Sequence, residues 1–70
     1  MTWVVIDRAL RTPSGAYAFL EDVRGPIEPG DVVHVKTGDD GSVGGALVTA
    51  IEDEIVYLSL AWHTLWKWPE

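Results

Sequence analysis

The sequence predicts an all-β fold, a small barrel of five short strands, and three observations carry that expectation. Asp31 to Lys36 alternates apolar and polar residues at a period of two, which marks a strand with one wet face. Gly38-Asp39-Asp40-Gly41 follows it directly and reverses the chain, with a glycine available for a left-handed position. Further runs of β-branched and aromatic residues recur on both sides, each closed by a turn of proline, glycine or acidic residues.

Taken in order, Trp3, Val4, Val5 and Ile6 favour a strand over a helix, and apolar residues on both its faces place it between two layers or across a barrel. Arg8 to Arg11 is expected to continue it. Thr12-Pro13-Ser14-Gly15 is a turn. Ala16 to Val23 is the second strand, with Tyr17, Phe19 and Val23 on one face and Ala16, Ala18 and Leu20 on the other. Arg24-Gly25-Pro26 breaks it, and Pro29-Gly30 closes a short excursion around Ile27. Asp31 to Lys36, the third strand, turns Val33 and Val35 inward and Val32, His34 and Lys36 outward. Val43 to Ile51 returns from the hairpin and carries Gly44 and Gly45, where a bulge or sharp bend is expected. Glu52-Asp53-Glu54 is an acidic turn, and Ile55 to Ala61 is the fifth strand. The tail, Trp62 to Glu70, fits one helical turn through Trp62, Leu65 and Trp66, and fits an alternating strand through Trp66 and Trp68 equally well.

Seventy residues make one domain, residues 1–70, near the lower size limit for folding alone. With no cysteine there is no disulfide to help, and the core rests on a 47% apolar composition that includes four tryptophans. The missing cysteine fits a reducing, cytoplasmic setting. Eleven acidic residues against five basic ones give a net charge of −6, which argues against binding nucleic acid or an anionic membrane surface. Solubility is the plainest account of that charge. The opening residues lack a basic leader, and no apolar stretch reaches bilayer-spanning length.

The centre of the chain resembles an SH3 domain. The resemblance rests on Gly30-Asp31-Val32-Val33-His34-Val35, then Asp39-Asp40-Gly41, then Gly45-Ala46-Leu47, with Ala9-Leu10 at the family's early Ala-Leu position. It covers about 20 residues of the chain and implies an SH3-like small β-barrel. The family reads proline-rich peptides with a groove of aromatic residues. Here Ser42 and Val43 stand where its tryptophan follows the acidic turn, and Arg11 and Thr12 replace its early aromatic pair. The resemblance therefore extends to the barrel and not to that groove.

Catalytic sets are missing from the pattern. His34 and His63 lie 29 residues apart, outside any ligand motif, so no metal and no cofactor are expected. Ser14 and Ser42 fall in turns, and a hairpin tip offers Asp39 and Asp40 little burial to shift a pKa. No enzyme is expected. Three tryptophans within seven residues of the tail are the strongest remaining feature. They either fold back, with Trp62 and Trp66 capping an open barrel end, or form a docking patch. By elimination the expected function is a non-enzymatic protein-binding module or small assembly subunit. It would meet a protein partner, or a second copy of itself, through Trp62, Leu65, Trp66 and Trp68. The alternative is an acidic inhibitor that occupies a basic nucleic-acid site on its target, using Glu52, Asp53 and Glu54.

Overall fold

The structure, a computed structural model, describes residues 2–67. Within them the alternation of apolar residues produces seven strands: β1 (Trp3–Ile6), β2 (Arg11–Thr12), β3 (Gly15–Phe19), β4 (Val23–Arg24), β5 (Val32–Thr37), β6 (Val43–Glu52) and β7 (Ile55–Ser59). Two single 3₁₀ turns, Leu20–Asp22 and Trp62–Thr64, are the only helical segments among the described residues. The fold is all-β. Its strands form one mixed sheet in the order β2-β3-β7-β6-β5-β1-β4.

Two departures from five strands and a closed barrel have local causes. After Ile6 the chain does not extend, because the Asp7 carboxylate accepts the Ala9 N–H at 2.8 Å and the Asp7 carbonyl accepts the Leu10 N–H at 2.9 Å. That aspartate turn ends β1 and lets β2 form a small hairpin with β3 across Pro13-Ser14. Likewise the strand expected over Ala16 to Val23 stops at Phe19. Its neighbour β7 begins at Ile55, opposite Phe19, so residues 20–22 have no ladder to join and close into a 3₁₀ turn. The sheet is not closed: β2 and β4 are its ends.

Inward-facing residues from five strands make the core: Val4 and Ile6, Ala18, Val33 and Val35, Ala46 and Val48, and Val56 with Leu58. Each aliphatic side chain of valine size or larger contributes about 1.5–3 kcal/mol on full burial. The alanines of β3 are the inward set, and Tyr17 and Phe19 take the outer face. Val33 and Val35 face the core as their alternation requires, with Thr37 also buried. β1 lies parallel to β5 in register Trp3↔His34 to Ile6↔Thr37, and antiparallel to β4. The corner before β5 is a tight turn with proline second and glycine third. The Asp31 N–H bonds the Glu28 carbonyl at 3.1 Å, while Gly30 takes φ +94°, a conformation that favours glycine.

The bend in β6 sits elsewhere than at Gly44-Gly45. Both glycines pair regularly with β5, opposite Val35 and His34. The irregularity is at Thr49, an extra residue between the pairs Val48↔Leu58 and Ala50↔Tyr57. One inserted residue reverses the alternation beyond it. Ile51, opposite the buried Val56, consequently packs on the core, although its spacing grouped it with the exposed Leu47 and Thr49.

Candidate functional site

The tail is built by the same register logic. Leu47 lies opposite Ser59, and four residues back along β6 Val43 lies opposite Trp66, seven residues on. The three surplus residues are the 3₁₀ turn Trp62–Thr64. The helical turn is thus a 3₁₀ turn that ends at Thr64 rather than one reaching Trp66, which makes a single extended bridge. The alternation through Trp68 lies outside the described residues. Trp66 exchanges two backbone hydrogen bonds with Val43, at 2.7 and 3.0 Å.

The turn is held to the body by Trp62. Its indole Nε1 donates to the Gly15 carbonyl at 2.8 Å, and the Arg11 guanidinium stacks over the ring at 4.5 Å from its centroid. Leu65 packs on the core above Gly44, where any side chain would collide with its terminal methyl. Trp62 and Leu65 therefore join the tail to the sheet. Trp66 is 50% exposed, and Trp68 lies outside the described residues.

Strand register puts Trp66 into a wider surface. Residues directly opposite one another share a face, so Val5, Lys36, Val43 and Trp66 form one row across the outer side of the sheet, with Val43 itself buried. Arg24, Trp3, His34 and Gly45 form the next, and Val32, Leu47 and Ser59 a third. The Trp3 and His34 rings stack with centroids 4.9 Å apart at 26°, beside a glycine that adds no bulk. Val32 is 80% exposed and its cross-strand neighbour Leu47 is 43% exposed. Four of the six large apolar side chains exposed among the described residues (Val5, Val32, Leu47 and Trp66) stand on this face. The outward position of Val32 and His34 is legible in the alternation of β5. That Trp3 and Leu47 flank them depends on pairings between distant segments.

Both acidic turns are exposed but differ in character. Glu52, Asp53 and Glu54 form the tip of the β6–β7 hairpin, where Asp53 and Glu54 take φ +50° and +65°. Positive φ at both central residues matches the twist of a two-residue hairpin. In the β5–β6 turn, Asp40 is a hub. It accepts the Thr37 hydroxyl at 2.6 Å and the Ser42 N–H at 3.0 Å, and Arg8 approaches at 3.3 Å. These donors, the Thr37 hydroxyl foremost, hold its carboxyl well below the ordinary 3.8. Asp39 is lowered too, chiefly by the Asp40 N–H.

A depressed carboxylate stabilises the folded state above its unfolded pKa and loses that contribution as pH falls through the folded value. The stability gap between the wild type and Asp40→Asn is therefore expected to be constant at neutral pH and to shrink below about pH 4. Thermal unfolding of both proteins from pH 7 to 2 measures it. A gap that stayed constant to pH 2 would show that ionisation of Asp40 contributes nothing.

The two histidines are separated, His34 on β5 and His63 on the tail turn, and the described residues hold no cluster of three His, Cys, Asp or Glu suited to a metal. No helix among them is long and apolar enough to cross a membrane. The chain matches no protein-family model, no curated protein and no solved structure.

Proposed function

We propose that this chain is a non-enzymatic protein-binding module, or small assembly subunit, that docks through the outer face of its sheet at the end carrying Trp66. The observation that supports this reading is the sheet face that carries the exposed Val5, Val32, Leu47 and Trp66 beside the half-buried Trp3 on paired backbone. Large exposed apolar patches mark interaction sites, and tryptophan is enriched among residues that dominate binding energy. A rigid sheet presents such residues with little ordering to be done on binding. An SH3-like small barrel belongs to the same proposal. Its Gly-Asp corner and acidic turn bracket β5, as the resemblance implies, although β1 runs parallel to β5 and the sheet stays open.

Affinity capture combined with light scattering tests the docking face. Wild-type protein is expected to retain a partner, or to self-associate, and Val32→Asp and Trp66→Ala are expected to abolish this with their thermal melts preserved. Val32→Asp tests the face apart from the tail, because Val32 is so exposed that its replacement leaves the core untouched. If the wild type and both variants capture the same proteins and all remain monomers, the reading fails.

A second reading keeps the acidic inhibitor of a basic nucleic-acid site. It is supported by Glu52, Asp53 and Glu54, exposed together at one hairpin tip. In that case binding falls steeply with salt, DNA or RNA competes, and the triple alanine variant loses the target. The apolar face predicts none of these.

A further inference from the structure

The two ends of the sheet, β2 and β4, do not pair, and a cleft of about 460 Å³ is lined by residues of β1 and β3. Its floor is apolar, made by the buried Ile6 and Ala18, and Leu10 and the exposed Phe19 wall it. Three acidic residues line it as well, Asp7 just after β1, Asp22 in the 3₁₀ turn and Asp39 in the β5–β6 turn. No lysine or arginine is part of the lining. Arg8 reaches one of the three, Asp39, at 3.2 Å, and the only other ion pair among the described residues joins Arg8 to Asp40. Asp7 and Asp22 have no ion-pair partner among the described residues, the Asp7 carboxylate accepting only the Ala9 N–H. Phe19 also lines a second cleft, of about 420 Å³, together with Glu21, Asp53 and Glu54. Phe19 is thus common to two clefts with acidic residues in their linings, and the one between β1 and β3 is an apolar groove edged by Asp7, Asp22 and Asp39.

We infer that this groove binds an extended basic peptide segment, with an apolar side chain seated against Phe19 and lysine or arginine side chains facing Asp7 and Asp22. Charge complementarity selects the occupant. An anionic or purely apolar chain would leave the rim carboxylates unpaired or desolvated, whereas a basic amphipathic one satisfies rim and floor together. The apolar anchor supplies affinity, and the carboxylates supply orientation and a salt-sensitive approach. Val5 also lines the groove, but none of Trp66, Trp3, Val32 or Leu47 does, so the inference stands apart from the docking face proposed above.

The test is an NMR titration of the ¹⁵N-labelled full chain with a capped Arg-Leu-Arg-Leu-Arg peptide. Its Glu-Leu-Glu-Leu-Glu and Arg-Gly-Arg-Gly-Arg counterparts serve as controls. The Arg-Leu peptide is expected to shift the amides of Val5, Phe19, Asp22 and Gly38 saturably, with affinity falling as salt rises. Asp22→Asn should weaken it about three- to fivefold, as expected for one exposed charge pair, and Phe19→Ser by about tenfold or more through loss of the apolar seat. Phe19 is 41% exposed and Asp22 half-buried, and neither belongs to the core, so the variants are expected to keep the fold, with unperturbed spectra as the check. Equal binding of the Glu-Leu peptide overturns the proposal, as do saturable shifts confined to the tail or no saturable shift at all. Concentration-dependent shifts of the same amides without peptide also overturn it, because the groove would then be an interface between copies of the chain.

Discussion

Gly15→Ala is expected to remove a large part of the stability of this protein. A Cβ at that position would overlap the Leu58 carbonyl oxygen and lie 2.6 Å from the Leu60 nitrogen. Both atoms belong to backbone, one in β7 and one just beyond it, so neither can rotate aside as a flexible side chain could. Relief requires β3 and β7 to separate where Gly15 pairs with Ser59. Separation there also strains the bond from the Leu60 N–H to the Ser14 carbonyl and the one from the Trp62 indole to Gly15. The loss should reach about 3 kcal/mol or more, in the range of severe overpacking and broken networks. Net stability at this chain length is only about 3.5–10 kcal/mol. Urea denaturation followed by circular dichroism measures the effect. Gly30→Ala is the control: it meets nothing within 4 Å, and its penalty, about 1–2 kcal/mol, comes from the φ of +94° alone. Equal denaturation midpoints for Gly15→Ala and the wild type would rule out the close approach of β3 to β7.

Trp62→Ala is the second large effect, expected at about 2–3 kcal/mol. The half-buried ring packs on the core, its Nε1 satisfies the Gly15 carbonyl, and the Arg11 guanidinium lies over its face. Removing a half-buried ring forfeits part of the value of a full aromatic truncation, and leaves a partly buried carbonyl without its donor. Trp62→Phe keeps the packing and loses the hydrogen bond, for about 1 kcal/mol. The tail should loosen in the alanine variant, so quenching of the remaining tryptophan fluorescence by acrylamide should increase. A docking role for Trp62 with no structural one predicts the opposite: lost partner binding with unchanged denaturation and quenching.

These two residues show where sequence reasoning stopped. The importance of Gly15 was visible only as turn chemistry, because the close contact that needs a missing Cβ comes from residues 58 and 60, more than forty positions away. For Trp62 the sequence leaves folding back and docking both open, since composition cannot tell a ring that anchors a turn from one that faces solvent. The gap in the sheet was equally hidden. Each hairpin is a local event, legible from a few residues, whereas the unpaired ends of the sheet, β2 and β4, follow from the order of all seven strands.

Local sequence pattern is enough for the all-β class and for the orientation of β5. It also marked the Pro29-Gly30 corner, the acidic reversals at both ends of β6, and the excess of negative charge. Those properties reside in period-two alternation and in the φ preferences of proline and glycine, which act within a few residues. Only the tertiary structure decided the parallel union of β1 with β5, the bulge at Thr49 that turns Ile51 inward, and the separate fates of the tail tryptophans. It also brought Trp3, Val32, Leu47 and Trp66 onto one face. Each of these depends on which distant segments share hydrogen bonds and buried area, and such pairings become favourable only when the whole core is assembled.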